Sequence, residues 1–134
     1  MLRQRGLLLL VSRKAPKPAY CSATGRVLLS GWDEQKVRDY LERTKLVART
    51  KHTLVKKAAI LDAIRTAQKR GFAVNDEELE LGLRSIAVPV FDSRRSLVGA
   101  MSASASSARV SVAEITREFL SVLQYHAEKL GRAL

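Results

Sequence analysis

The sequence is short of the residues on which several kinds of small protein depend. One cysteine among 134 residues excludes an internal disulfide framework and any cysteine-based structural zinc site. Two histidines beside that cysteine leave little material for a metal centre or a Cys/His dyad. Seven glycines and three prolines are too few for a low-complexity or collagen-like chain. The longest early apolar run, Leu7 to Val11, spans five residues, short of the roughly 7–15 of a secretory core and of the roughly 20 that cross a bilayer. No membrane association is therefore expected, and the lone cysteine with no export signal points to the cytoplasm. Acids are scarce as well, 13 against 24 Lys and Arg, giving a net charge of +11. Aromatics amount to one Trp, three Tyr and three Phe and do not alternate with the cations. The stacking faces of a single-strand nucleic-acid binder are thus missing.

What is present suits one folded domain. A hydrophobic fraction of 46% is ordinary for globular proteins, and a chain of this length buries roughly two-thirds of its unfolded surface. Residues 1–18 carry Arg3, Arg5, Arg13, Lys14 and Lys17 and no acid; they read as a loosely packed N-terminus with at most one edge strand. Ser22 is placed to cap a short helix through Leu29, inside which Gly25 asks for close packing or a ligand. Either Ser30, in a box with Asp33, or Asp33 itself caps a second helix whose inner face is Val37, Tyr40 and Leu41. Thr53 is expected to cap a third, running to Arg70 with Leu54, Ala58, Leu61, Ile64 and either Ala67 or Gln68 inward and Gly71 as its terminating glycine. Lys56, Lys57, Arg65 and Lys69 form its outer face, read as solvated.

Three strands should follow: a short one at Phe72–Val74, then Leu83–Phe91 and Leu97–Ser104, joined by a hairpin at Asp92–Ser96. Pro89 makes the middle strand locally an edge or a bulge. Ser111-Val112-Ala113-Glu114 is a capping box opening a last helix to about Arg132, with Ile115, Phe119, Val122, Leu123 and Leu130 as its apolar stripe. Helices on a small antiparallel sheet make the class α+β.

Candidate chemistry is sparse. No nucleophile has an identifiable base, so an enzyme is not expected. The acidic run Asp76, Glu77, Glu78, Glu80 has no second ligand group to make it a metal site, and no cofactor is called for. Binding is better supported. The helix start at Ser22–Thr24 leaves backbone N–H groups free for a carboxylate. Ser102 and Ser104 share one strand face, where buried hydroxyls need partners. Arg84 is available either to an acid or to a ligand carboxylate.

At these same places the sequence resembles a known family. Ala19-Tyr20-Cys21-Ser22-Ala23-Thr24-Gly25-Arg26-Val27-Leu28-Leu29 is similar to the G-[KR]-x-x-L helix of IclR-type transcriptional regulators. Arg70 to Val90, RGFAVNDEELELGLRSIAVPV, is similar to the family's arginine-glycine-aromatic, acidic-loop and G-[LV]-R-[CS]-[IV]-A-x-P run. Val98 to Ser104 and Ala108-Arg109 fit its hairpin strand and following loop.

The resemblance covers residues 19–134 and leaves 1–18 as a poorly matching segment. It implies a partial effector-binding domain of GAF-like sensor fold, incomplete at its N-terminus. It also implies a small organic acid as effector, self-association as dimer or tetramer, and DNA contact only through a winged helix-turn-helix that this chain does not contain. By matched position the effector contacts would be Ala23, Thr24, Asn75, Leu83, Ser85, Ser102 and Ser104, with Arg84 among them. The wording is most similar to regulators of aromatic-acid catabolism, of the protocatechuate and β-ketoadipate type, so an aromatic or dicarboxylic intermediate is the expected effector. The competing expectation is a degenerate or truncated regulator serving as a basic protein- or nucleic-acid-interaction module. It would use residues 43–70, where nine Lys and Arg face Asp62 alone.

Overall fold

In a computed structural model, which describes residues 8–134, a four-stranded antiparallel sheet separates two helical layers. The strands are β1 (Leu8–Ser12), β2 (Ala73–Asp76), β3 (Leu83–Phe91) and β4 (Leu97–Ser106), in the order β1-β4-β3-β2. The α-helices are α1 (Ala23–Leu29), α2 (Glu34–Arg43), α3 (Lys57–Arg70) and α4 (Val112–Arg132), with a 3-10 turn at Ala19–Cys21. The class is α+β. No helix of the described residues is long and apolar enough to cross a membrane. Leu7, Arg3 and Arg5 lie outside the described residues. β1 is an edge strand, with Leu10 opposite Ser102 and Ser12 opposite Ala100.

Strand alternation divides the core. Ile86, Val88 and Val90 of β3 and Ala103 and Ala105 of β4 pack on Ile115, Phe119, Leu123 and Ala127 of α4. The residues between them turn the other way, where Ala87 and Ala100 meet Ala23, Val27 and Leu28 of α1. Two alanines there let α1 lie close to the sheet. A third cluster joins Val37 and Leu41 of α2 to Ile60, Leu61 and Ile64 of α3 and to the 19–21 turn.

The termini of these elements follow local chemistry. Ser22 Oγ accepts from the Gly25 amide at 2.9 Å, Asp33 rather than Ser30 caps α2, and the Ser111–Glu114 box is complete. Gly71 closes α3 with a φ of 81°, the left-handed region that suits glycine. Pro89 lies where β3 has outrun β2, whose last pair is Ala73 with Ala87, so its missing N–H breaks no ladder bond there. Just beyond it the pairing steps from Val90–Gly99 to Phe91–Leu97. That bulge leaves Val98 unpaired and sends it to the α4 cluster rather than to the face of Ala100 and Ser102.

Three local expectations need correction. α3 begins at Lys57, not after Thr53, and Lys56 at its N-cap makes no side-chain cap bond. Its buried stripe is Ile60, Leu61, Ile64 and Ala67, while Ala58 is exposed and Leu54 precedes the helix. In α4, Val122 is 38% exposed and Ala127 and Gly131 take the buried positions.

Candidate functional site

Ser22 and Ala23 at the start of α1 look across at the β2–β3–β4 sheet, and a cavity of about 270 Å³ opens between them. Asn75 on β2, Leu83 and Ser85 on β3 and Ser102 and Ser104 on β4 line its sheet side. Ala23 and Thr24 line its helix side, and Leu10, Pro16 and Leu79 close its apolar rim. Seven of the eight residues singled out from sequence are thus brought together. Pairing explains it: Asn75 is opposite Ser85 and Ser85 opposite Ser104, so all three project on one face.

Arg84 is not brought there. It stands between Leu83 and Ser85 on the same strand, so the alternation that aims those two into the cavity turns it away. Its guanidinium holds Asp76, its cross-strand partner, at 2.6 Å and the Val110 carbonyl at 2.6 Å. Arg84 therefore ties the β2–β3 ladder to the segment entering α4.

No Lys, Arg, His, Asp or Glu among the described residues lines the cavity. Its polarity comes from hydroxyls and one amide. Ser85 and Ser104 share a hydrogen bond, Oγ to Oγ at 2.9 Å. Asn75 is committed: its Nδ2 donates to the Cys21 carbonyl and its Oδ1 accepts from the Glu78 amide at 3.0 Å. Ser102 is only 5% exposed, yet its Oγ has no hydrogen-bond partner among the described residues, and neither has Thr24 Oγ1. Both hydroxyls face the cavity, where a bound group can satisfy them.

Behind this wall lies a polar network that sequence reading did not anticipate. Arg26 and Glu78, both almost fully buried, form a two-pronged ion pair with both contacts at 2.6 Å. Arg26 also donates to the Tyr20 carbonyl, and Glu78 accepts from the Leu54 amide at 3.1 Å. Thr53, expected as a helix cap, instead accepts from the Arg49 and Thr50 amides and donates to the Glu78 carbonyl. Three of the four acids in the run are thereby used: Asp76 on Arg84, Glu78 on Arg26, and Glu77 accepting from the Gly82 amide at 2.8 Å. That last bond holds the Glu77 carboxyl below the usual glutamate range, with help from Ser107 and the nearby His52.

One signal for the buried pair was available: a lone arginine inside Gly25-Arg26-Val27-Leu28-Leu29 cannot be buried without a partner. Gly25 is explained by packing, since a Cβ there would collide with the backbone of Ala19. Burial raises the pKa of the Cys21 thiol beneath the wall, which makes it a poor nucleophile.

The geometry can be set beside known proteins. A family model described as bacterial transcriptional regulator IclR C-terminal matches residues 14–132. The Pca regulon regulatory protein of Pseudomonas putida is 41% identical over 106 residues, which cover 79% of this chain and 36% of that protein. The KdgR transcriptional regulator of Escherichia coli is 34% identical over 114 residues, 85% of this chain and 43% of that one. The chain spans less than half the length of each of these relatives.

Among solved structures, a double mutant of the PobR inducer-binding domain from Acinetobacter, in complex with 3-hydroxybenzoic acid, superposes with a TM-score of 0.84. Its identity is 26%, and the match covers 87% of this chain and 66% of that one. Fold, motif order and relatives agree, and the chain belongs to the family of C-terminal domains of IclR-type bacterial transcriptional regulators.

Proposed function

We propose that the chain is the effector-binding domain of a transcriptional regulator and that a small aromatic monocarboxylic acid occupies the cavity between α1 and the sheet. The observation that carries this reading is the Ser102 hydroxyl, on a residue only 5% exposed, which opens onto an uncharged cavity and has no hydrogen-bond partner among the described residues. Ala23, Thr24, Asn75, Leu83, Ser85, Ser102 and Ser104 are the proposed contacts, and Arg84 supports the strand that carries two of them. Neutral hydroxyls and the backbone N–H groups of the first turn of α1 would hold the carboxylate. Leu10, Leu79, Leu83 and Pro16 would cover the ring.

No cation lines the cavity among the described residues, and a second carboxylate would lie there unpaired at high cost. An aromatic monoacid is therefore favoured over a dicarboxylic acid. The volume suits one small ring, below the roughly 300–1,000 Å³ of sites for larger ligands. The likeness to the Pca regulator and to the hydroxybenzoate-bound PobR domain supports the same ligand class. In this reading the regulator is cytoplasmic, works as a dimer or tetramer, and reaches its operator through a winged helix-turn-helix carried elsewhere in the protein.

Thermal melts with protocatechuate, 4-hydroxybenzoate, β-ketoadipate, pyruvate and glyoxylate test it. At about 100 times its dissociation constant a ligand adds roughly 2.7 kcal/mol, a shift of several degrees at this size. An aromatic acid should shift the melt, and Ser102→Leu should keep a cooperative melt while losing the shift. A shift that survives Ser102→Leu, or no shift with any acid, refutes the reading.

A further inference from the structure

Beside the cavity, with Pro16 shared between the two, the loop from α2 to α3 carries a cationic surface. From Arg43 to Lys56 the chain has five Lys and Arg and no acid. Lys45 and Arg49 face Lys17 across a cleft of about 390 Å³ whose walls are Pro16, Pro18, Tyr20 and Tyr40. Lys51 and Lys56 continue along the same loop. Lys17, Lys45, Arg49, Lys51 and Lys56 are all exposed, and none makes an ion pair among the described residues, whereas the neighbouring Lys57 is paired with Glu42 at 3.0 Å.

The loop lacks regular secondary structure but is held firmly. Tyr20 Oη donates to the Val47 carbonyl and accepts from its amide, and Thr53 fixes the Arg49–Thr50 turn. Thr50 Oγ1 donates to the Glu77 carbonyl at 2.6 Å. A loop pinned at both ends presents its charges with little further ordering, which is what a cationic docking surface needs.

We infer that this surface, Lys17, Lys45, Arg49, Lys51 and Lys56, binds the phosphate backbone of duplex DNA without reading its sequence. Several observations select that partner. Three unpaired cations around one cleft and two more on the same loop suit a polyanion, and a net charge of +11 draws one in from a distance. Tyr20 is buried and Tyr40 is half-buried, so the surface offers no face for stacking unpaired bases, and a single strand would find only part of what it needs. Four of the five cations are flexible lysines, which meet phosphates as point charges, and Arg49 is the one planar, two-pronged group among them. In a family of transcriptional regulators, such a surface would add a sequence-independent grip beside whatever part of the protein reads the operator.

The test is fluorescence-anisotropy titration of the full chain with a labelled duplex of arbitrary sequence at several salt concentrations. Five phosphate contacts give a slope of log K against log salt of about −4.5, or about a 500-fold loss between 50 and 200 mM. Neutralising three with Lys17→Gln, Lys45→Gln and Arg49→Gln should cut that loss to about 12-fold. A control triple of exposed cations elsewhere, Arg94→Gln, Arg109→Gln and Arg117→Gln, removes the same charge and should keep the steep slope. Melts of all three proteins should coincide, since every substituted side chain is exposed.

If the control flattens the slope as much as the loop triple, net charge alone is responsible and the surface is refuted. An unchanged slope in the loop triple refutes it as well. Polyglutamate competing as well as duplex at equal charge would make the partner an acidic protein and overturn the DNA assignment.

Discussion

The two faces of one sheet bury different chemistry. Toward α4 the strands present Ile86, Val88, Val90, Ala103 and Ala105 to an equally apolar helix. Toward α1 the same strands present Asn75, Ser85, Ser102 and Ser104. All six buried polar or charged residues of the described chain (Ser22, Arg26, Thr53, Asn75, Glu78 and Ser102) lie on that side. Since β3 and β4 contribute to both faces, the difference arises from which residue occupies each alternate position. Burying polar groups costs stability unless each is matched. Its confinement to the α1 side marks that side as the one shaped by something other than folding. The α4 side supplies the stability that lets the other face be polar.

The largest test of this contrast is the Arg26–Glu78 pair. Arg26→Ala or Glu78→Ala strands a buried charge and should cost about 3–5 kcal/mol in urea denaturation. Phe119→Ala on the α4 face should cost a similar amount, about 3–5 kcal/mol, through its cavity. The faces differ in rescue. Arg26→Met with Glu78→Leu removes both charges and should recover most of the loss, whereas Phe119→Ala has no partner whose change restores it. If the double variant is no more stable than the singles, the network is held by its bonds to Tyr20 and Leu54 rather than by the pair.

A second, smaller test uses two glycines that each let a backbone approach a helix closely. A Cβ at Gly25 would strike the Ala19 backbone, and one at Gly131, near the end of α4, would strike the Phe91 carbonyl. Each substitution to Ala should cost about 1–3 kcal/mol by overpacking. Gly131→Ala should leave the ligand-induced melting shift intact, because α4 touches none of the cavity. Gly25→Ala should also lose the shift, because it displaces the first turn of α1 with Ala23 and Thr24. Equal effects on ligand response would mean that the faces are not separable.

How much of this was legible depends on the range of the interactions. Caps at Ser22, Asp33 and Ser111 and the stop at Gly71 are decided within a few residues, and they stand out in the sequence. Period-two alternation places Ser102 and Ser104 on one face, and the strand register that adds Ser85 comes from the structure. Alternation also keeps three consecutive residues, Leu83, Arg84 and Ser85, from serving one cavity, which motif position alone does not register. Thr53 misled because a threonine before an apolar run looks like a helix cap. Its hydroxyl is claimed by Glu78, 25 residues away, and no local pattern reveals that. The Arg26–Glu78 pair, 52 residues apart, is hidden for the same reason: charge is visible in sequence, but who neutralises it is settled by tertiary contact. The resemblance carried the family, while the burial that distinguishes the two faces came only from the structure.

The smallest effect concerns the rim of the polar face, at Glu77. The Gly82 amide and Ser107 hold its carboxyl below the unfolded value, which lies near 4.3. A depressed carboxylate contributes stability that is complete above the unfolded pKa and is lost as pH falls through the folded one. Glu77→Gln keeps an acceptor for Gly82 but has no charge to titrate. The wild-type chain should therefore melt slightly higher than Glu77→Gln at pH 7. The gap should hold to about pH 5 and close as the pH drops below about 4. The other carboxylates titrate in both proteins and cancel in the difference, so the gap reports Glu77 alone. A gap that is the same at pH 7 and pH 3.5 would show that the loop is fixed by the neutral hydrogen bond. Charge would then matter on this face only where it is buried, at Arg26 and Glu78.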